Sequence, residues 1–516
     1  AAEHLDQPIN TPAPGFSALN YQLVAYYKTS AWMKGIRESI GEPLFDSAMH
    51  AYFLQWQFRH PGPADLRRSF EDVTGKNLAK EFALLDTTGL LPSDARSGTH
   101  VAFFPNPNYL KHSLDNHYRN FLTVGPAVGF NAYDKFMLGA LFTNAKLPLN
   151  RFKFFIAPMY GFGSKTFAGL GRLNFTLYPS GFVRKVDLFV SASTFTQDEY
   201  KDSTHDFNLS FRKIAPGIRV TLRQHDLRQS VHRFIQWKTY LVNEDGLNFS
   251  RDTVGTPPVV VSSLKKISEH RTVNQLLLVS ENHRALYPYR GELRFEQGDK
   301  FVRASFNGNY FFNYPSTGGM DVRFFAGKFI YTSSKTISNQ FATDRYHLSL
   351  SGPGGSEDYT YSDYFIGRNK FDGLGSQQIM IRDGGFRIRT NLLSSPVGRS
   401  DDWLIATNLT SSVPSSINPL NILPLKIPLK VFLDIGTYSD AWKKGFEGDR
   451  FLFNAGLQVS LLRNTMNVYV PLVYSSIFRD YVKSILEKKD RFFKKISFSI
   501  DLATFSLKKI DKNLTF

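Results

Sequence analysis

The sequence predicts a mainly β fold: a closed antiparallel transmembrane β-barrel of about 12 to 16 strands, with about 14 the central count, behind a small α-helical module. Three observations predict it. First, from about Leu122 to Phe505 apolar and polar residues alternate in short runs, as at Phe136, Leu138, Ala140 and Phe142, and at Leu173, Phe175 and Leu177 against Asn174 and Thr176. A period of two places one residue set on each face of a sheet. Second, aromatic residues make up 15% of the chain, with 47 Phe and 24 Tyr, while no apolar run reaches the length of a spanning helix. Barrel strands are short and half polar, so a mean hydropathy of −0.25 fits them. Third, some runs set basic against bulky apolar residues, as Arg387 and Arg389 against Phe386 and Ile388, and a wall between lipid and a polar lumen needs such strands. Further samples are Phe207, Leu209 and Phe211 against Asn208, Ser210 and Arg212, and Ile496, Phe498, Ile500 and Leu502 near the end.

Composition sets outer bounds. There is no cysteine, so neither a disulfide scaffold nor a thiolate metal site is available. The net charge is +17. Lys and Arg are spread along strands and loops rather than gathered in one tract, which reads as lumen and rim charge facing anionic lipid head groups, not nucleic acid. The start at Ala1 without Met reads as a cleaved leader or a piece of a longer polypeptide.

In order, residues 1–20 read as an extended, Pro-containing segment. Tyr21, Val24, Ala25, Lys28, Trp32 and Ile36 recur at helical spacing, with Gly41 as the stop. A second helix runs from about Pro43 to Phe58, where His60-Pro61-Gly62-Pro63 breaks it. A third spans Ala64 to Thr74 before Gly75, and a fourth covers Leu78 to Leu85 with Asn77 as cap. This gives a helical module over 1–92, a linker over 93–119 and a barrel over 120–516. Tight turns are expected at Tyr178–Gly181, Glu244-Asp245-Gly246 and Asn307-Gly308. Long polar loops are expected at Arg251–Glu269 and Gly352–Tyr359. The basic stretch Arg479–Asp490 reads as a short helix or a loop, and the terminal Phe516 is similar to the assembly signal of outer-membrane barrels.

Within the module, Val24-Ala25-Tyr26-Tyr27-Lys28-Thr29, then Gly41, Phe45, Trp56-Gln57-Phe58-Arg59-His60-Pro61, Asp65 and Thr74-Gly75-Lys76-Asn77-Leu78, resembles the region after the zinc site in the membrane alanine aminopeptidase family of zinc metallopeptidases. The resemblance covers about ninety residues. Gly129–Phe136 and Gly169-Leu170-Gly171-Arg172 resemble the barrel behind such a module in some Bacteroidota outer-membrane proteins. The family implies zinc-dependent removal of N-terminal residues from peptide substrates. It implies for Tyr26 a hydrogen bond to the tetrahedral oxyanion, although Thr29 stands where the family has Gly. The family's HExxH zinc motif is absent from this chain, so zinc is implied only for a longer protein and the chain alone is expected to be inactive.

The remaining constellations are weaker. Gly161–Ser164 and Gly169–Gly171 read as close strand approach rather than phosphate loops. Glu357-Asp358 and Asp401-Asp402 read as solvated loop charge rather than Ca²⁺ ligands. The leading expectation is a bacterial outer-membrane barrel, set in outer-membrane lipid, that anchors a peptidase-like module. The alternative is a barrel that itself acts as pore or secretion channel under a non-catalytic helical cap.

Overall fold

A computed structural model of the chain describes residues 6–16, 18–92, 99–103, 120–145, 151–179, 181–224, 226, 229–254, 259–315, 318–333, 346–355, 358–370, 372–389, 397–422, 427–461 and 465–502. Helices come first. They are α1 (Ala18–Gln22), α2 (Thr29–Ile40), α3 (Glu42–Trp56), α4 (Pro63–Thr74) and α5 (Ala79–Ala83), and a π-helical turn over Leu23–Lys28 joins the first two. Gly41 and Gly75 end α2 and α4 at φ 90° and 65°, which a Cβ resists. The expected Asn77 cap is displaced: Leu78 is the N-cap of α5, and Asn77, one residue outside it, accepts the Ala79 N–H at 2.9 Å. The helices close on Trp32, Ile36, Ile40, Phe70, Leu78 and Phe82. The Trp32 indole is kept paired there by donating to the Glu81 carbonyl at 2.8 Å.

The rest is dominated by one 17-stranded sheet. Its strands are β1 (Thr99–Phe103), β2 (Asn120–Asn131), β3 (Lys135–Thr143), β4 (Phe152–Gly161), β5 (Thr166–Leu177), β6 (Val183–Lys201), β7 (Asp206–Leu222), β8 (Val231–Val254), β9 (Val259–Asn282), β10 (Tyr289–Gly298), β11 (Phe301–Asn313) and β12 (Gly319–Tyr331). After a long insertion holding the two-residue strands β13 (Leu348–Ser349), β14 (Gly352–Pro353), β15 (Ile379–Met380) and β16 (Arg399–Ser400), the sheet resumes. It continues with β17 (Trp403–Ser412), β18 (Leu429–Tyr438), β19 (Leu452–Leu461), β20 (Met466–Tyr474) and β21 (Ser497–Ile500). Two helices, α6 (Ser476–Ile485) and α7 (Arg491–Lys495), lie between β20 and β21. Only β1 joins in parallel, on β2, within residues expected as linker; the other neighbours pair antiparallel in chain order. Among the described residues no ladder joins β21 back to β1 or β2, so edge-to-edge closure is not part of what they show.

The wall is two-sided. Phe136, Leu138, Phe167, Leu173, Phe175, Leu177, Leu188, Val190, Trp237, Leu293, Phe295 and Ile405 are exposed on the outside. The alternating inner positions hold Thr176, Asp187, Gln236, Glu292, Glu296, Arg303, Asn408 and Asp434, all buried. An apolar exterior over a polar interior is what lipid outside and an enclosed lumen require.

Several expectations are corrected. Phe207–Arg212 does alternate, but its apolar set points inward, with Leu209 and Phe211 buried. In β21 Ser497, Phe498 and Ser499 are all buried, so its alternation separates no lipid from water. Glu244-Asp245-Gly246 and Asn307-Gly308 are not turns but lie inside β8 and β11. Arg251–Val254 and Val259–Glu269 are not irregular loop but belong to β8 and β9, antiparallel strands of 24 residues each, while 255–258 lie outside the described residues. Arg479–Ile485 is helical, as part of α6, and Phe516 lies outside the described residues.

Candidate functional site: a segment inside the sheet

Between β12 and β17 the chain leaves the wall and turns inward. The Arg382-Asp383-Gly384-Gly385-Phe386-Arg387 stretch shows why it fits there. At Gly385, φ is +65°, and a Cβ would sit 2.6 Å from Arg323 Nη1 and 2.9 Å from Asn408 Oδ1. Only glycine lets the backbone pass that close to the wall. Phe386 and Ile388 are wholly buried, and Arg387 is nearly so. The Phe386–Arg389 alternation is therefore real, but it lies in the lumen and not in the lipid-facing wall.

The contacts of this segment run round the sheet. The Ala132 N–H, at the β2–β3 turn, donates to the Ile366 carbonyl at 2.6 Å. Asn369 donates to Gln197 of β6 at 2.8 Å. Tyr361 stacks on Phe211 of β7 with centroids 3.9 Å apart. Arg271 of β9 donates to the Tyr359 carbonyl at 2.9 Å. Arg323 of β12 donates to the Asp383 carbonyl at 2.8 Å, and Asn408 of β17 to that of Gly384 at 3.0 Å. Arg387 meets Asp434 of β18 at 3.1 Å, and Ser497 of β21 donates to the Arg387 carbonyl at 2.8 Å. One segment touching the first antiparallel turn, the last strand and most strands between forces the sheet to curl around it. Phe478 of α6 packs on Phe386 and caps the segment at the same rim, with ring centroids 6.0 Å apart.

Charge organises the centre. Arg303 of β11, 2% exposed, pairs with Asp383 and lies 3.5 Å from Glu296 of β10. Glu296 also accepts from the Tyr359 hydroxyl and from Arg382, the latter at 3.4 Å. Asp358 lies between Arg368 at 3.1 Å and Arg382 at 3.4 Å, and accepts the Asp363 N–H at 2.9 Å. Burial alone would raise the Asp358 pKa, but Arg368, Arg382 and that N–H outweigh it and hold the carboxyl well below the usual range. The arrangement presents no activated nucleophile. It is a set of charge-assisted locks between a segment and its surrounding wall.

The residues singled out in the sequence lie elsewhere or act differently. Tyr26, in the π-helical turn, is 60% exposed; its ring meets Tyr21 edge-on at 5.9 Å, and their hydroxyl contact raises its pKa. Lys28, on the helical period, is largely covered, its ammonium 2.6 Å from Asp6. Asp358 is not loop charge, and Glu357 lies outside the described residues. Asp402 pairs with Lys328 at 2.9 Å. Gly169 does mark close strand approach, its absent Cβ lying 2.7 Å from the Ala157 carbonyl oxygen. Apart from Arg387 and Asp358, read from the sequence as wall and loop charge, the lock residues carry no local signal beyond the basic-aromatic string Arg382–Arg389.

No family model matches the chain, and no curated protein does. Solved structures that match include CdiB from Acinetobacter baumannii, at 11% identity and TM-score 0.33, over 72% of this chain and 66% of that one. BamA from Haemophilus ducreyi lacking POTRA domains 1-3 matches at 10% identity and TM-score 0.37, over 69% and 67%. CdiB from Escherichia coli matches at 11% identity and TM-score 0.35, over 83% and 84%. The expected metallopeptidase, aminopeptidase, hydrolase and zinc assignment is corrected: the matches found are to outer-membrane β-barrel structures. Among the described residues no three His, Cys, Asp or Glu side chains group to hold a metal. The two-sided antiparallel wall is the kind an outer-membrane β-barrel protein has.

Proposed function

We propose that the barrel itself is the working part, a conduit whose lumen is closed at rest by the segment over residues 346–400. One observation carries this reading. Beyond the segment, toward the opposite rim, the inner face carries Asp187, Arg219, Gln236, Glu281 and Glu292 around a small apolar cluster of Phe234, Leu277 and Val279. A wall of this strand number encloses more space than its own side chains fill. The polar half needs water, and the locked segment separates that water from the far rim. Substrate passage requires the segment to shift, and its ion pairs are the contacts that water replaces most readily when it enters.

The test is conductance in planar bilayers. The native chain is expected to give low, intermittent current. The double variant Asp383→Asn with Arg387→Gln, which frees the segment from β11 and β18, is expected to open several-fold more often. Equal, negligible current from both would leave the barrel a passive structure.

A further inference from the structure

The charge on the inner face is unevenly matched. On β9 and β10 the acids are taken: Glu281 and Glu292 pair with Arg290, and Glu292 also pairs with Arg294 at 2.5 Å. On β5, β7 and β8 the contacts of Arg172, Arg219 and Lys238 are with neutral groups, and the acids Asp187 and Glu281 act on the two arginines only from a distance. Arg172 lies over the Phe189 ring, 4.2 Å from its centroid. Arg219 donates twice to the Gln236 side-chain oxygen, at 3.0 and 2.7 Å, and lies over Phe234 at 4.4 Å. Lys238 has only the Tyr240 ring, at 4.6 Å. Asp187 is itself occupied by Thr176 at 2.7 Å and Lys185 at 3.5 Å.

These cations share one patch. Arg172 is level with Ser191, Phe189 with Gly217, and Gly217 with Lys238, so β5 to β8 present them side by side. Gly217 is part of the construction. A Cβ there would lie 2.5 Å from the Phe189 ring, so the missing side chain makes room for the aromatic on which Arg172 rests. Lys213, Arg172, Arg219 and Arg294 all lie close enough to repel the Lys238 ammonium. Aromatic faces hold a cation in place without neutralising it. A confined patch of cations so held attracts anions, and the two guanidinium groups suit a planar or tetrahedral oxyanion.

We propose that Arg172, Arg219 and Lys238 form an oxyanion-binding site in the lumen, taking a phosphate or carboxylate group carried by a solute. The site rests on the conduit reading only for how the anion arrives; binding is read without transport.

The experiment uses the full chain in detergent micelles and inorganic phosphate as probe, followed by equilibrium dialysis at constant ionic strength. Saturable binding is expected in the native chain, weakened at least tenfold in Lys238→Gln and in Arg172→Gln and restored in Lys238→Arg. Two glutamine variants guard against one failing to fold. No saturable binding by the native chain, or unchanged binding in the folded glutamine variants, overturns the site. Binding alongside silent bilayers would remove the conduit and keep the site; current without binding would do the reverse.

Discussion

Arg303 and Asp383 show what the lumen demands of single charges. Both side chains are almost fully buried. Removing one partner leaves the other charged and dry, which costs about 3–5 kcal/mol, while replacing both by apolar groups of similar size is often neutral. Asp383→Asn is therefore expected to lower the unfolding temperature of the barrel clearly, and the pair Arg303→Met with Asp383→Leu much less. A double variant as unstable as the single one would mean that the pair is not the unit. Asp358 gives a pH expectation. Its folded pKa lies below the unfolded one, so its contribution is fully present above the unfolded value, near 4, and is lost as pH falls through the folded value. The segment should stay docked from pH 8 to pH 5 and loosen only in strong acid. The chain has no cysteine, so Ser376→Cys, at a buried position of the segment, provides a clean maleimide probe. Rapid labelling at pH 6 would contradict this. At this scale the sequence showed that charges were abundant but not which were buried. Lys28 sits on a helical period whether Asp6 covers it or water does.

Elements were legible where a local rule decides them. Gly41 and Gly75 mark helix ends by backbone conformation, and the structure places them so, whereas the cap expected at Asn77 falls on Leu78. Strand ends were harder. Asp-Gly and Asn-Gly signal hairpin turns only when the flanking strands end there. Glu244 and Asp245 instead continue β8, held by Arg271 of β9 and by Lys266, the latter at 2.8 Å. A strand crosses a bilayer in about 9–11 residues, so the 24-residue strands of β8 and β9 run well beyond it. Deleting residues 248–265 is accordingly expected to leave a barrel that still migrates as a heat-modifiable band. Inside the wall, proline sets a different constraint. Pro158 cannot donate to the ladder, and β3 and β4 lose their rungs around it between Gly139 and Phe142. Gly139 lets the strands close over that gap, since a Cβ would fall 1.9 Å from the Pro158 carbonyl oxygen. Gly139→Ala should force the two strands apart and reduce the heat-modifiable fraction strongly. Assembly at the native level would show that the strands have slack there.

For the whole molecule, alternation carries one kind of information only. It says that a stretch has two unlike faces, and a lipid-facing strand and a segment threaded through the lumen both have them. Phe386–Arg389 satisfied the rule as well as Leu173–Leu177 did, and only long-range contacts separate them. The difference matters for assembly, because at its rim the segment is the core of the barrel. Phe211, Tyr240, Phe301, Phe325, Phe329 and Leu404 of the wall pack in one cluster with Leu350, Tyr359, Tyr361, Phe386 and Ile388 of the segment. If residues 346–397 were deleted, those wall side chains would line an open, wet lumen. At about 1.5–3 kcal/mol per large side chain, the lost burial is on the order of 10 kcal/mol, comparable to the whole stability of a folded domain. The wall ladders would remain possible, yet the interior would favour collapse or aggregation over an open cylinder. The deletion chain is therefore expected to yield little or no heat-modifiable barrel when refolded in detergent, whereas Asp383→Asn, which keeps the apolar contacts, assembles and only loosens. Full assembly of the deletion chain, with the heat resistance of the native one, would show that the wall stands alone and that the segment is a removable plug.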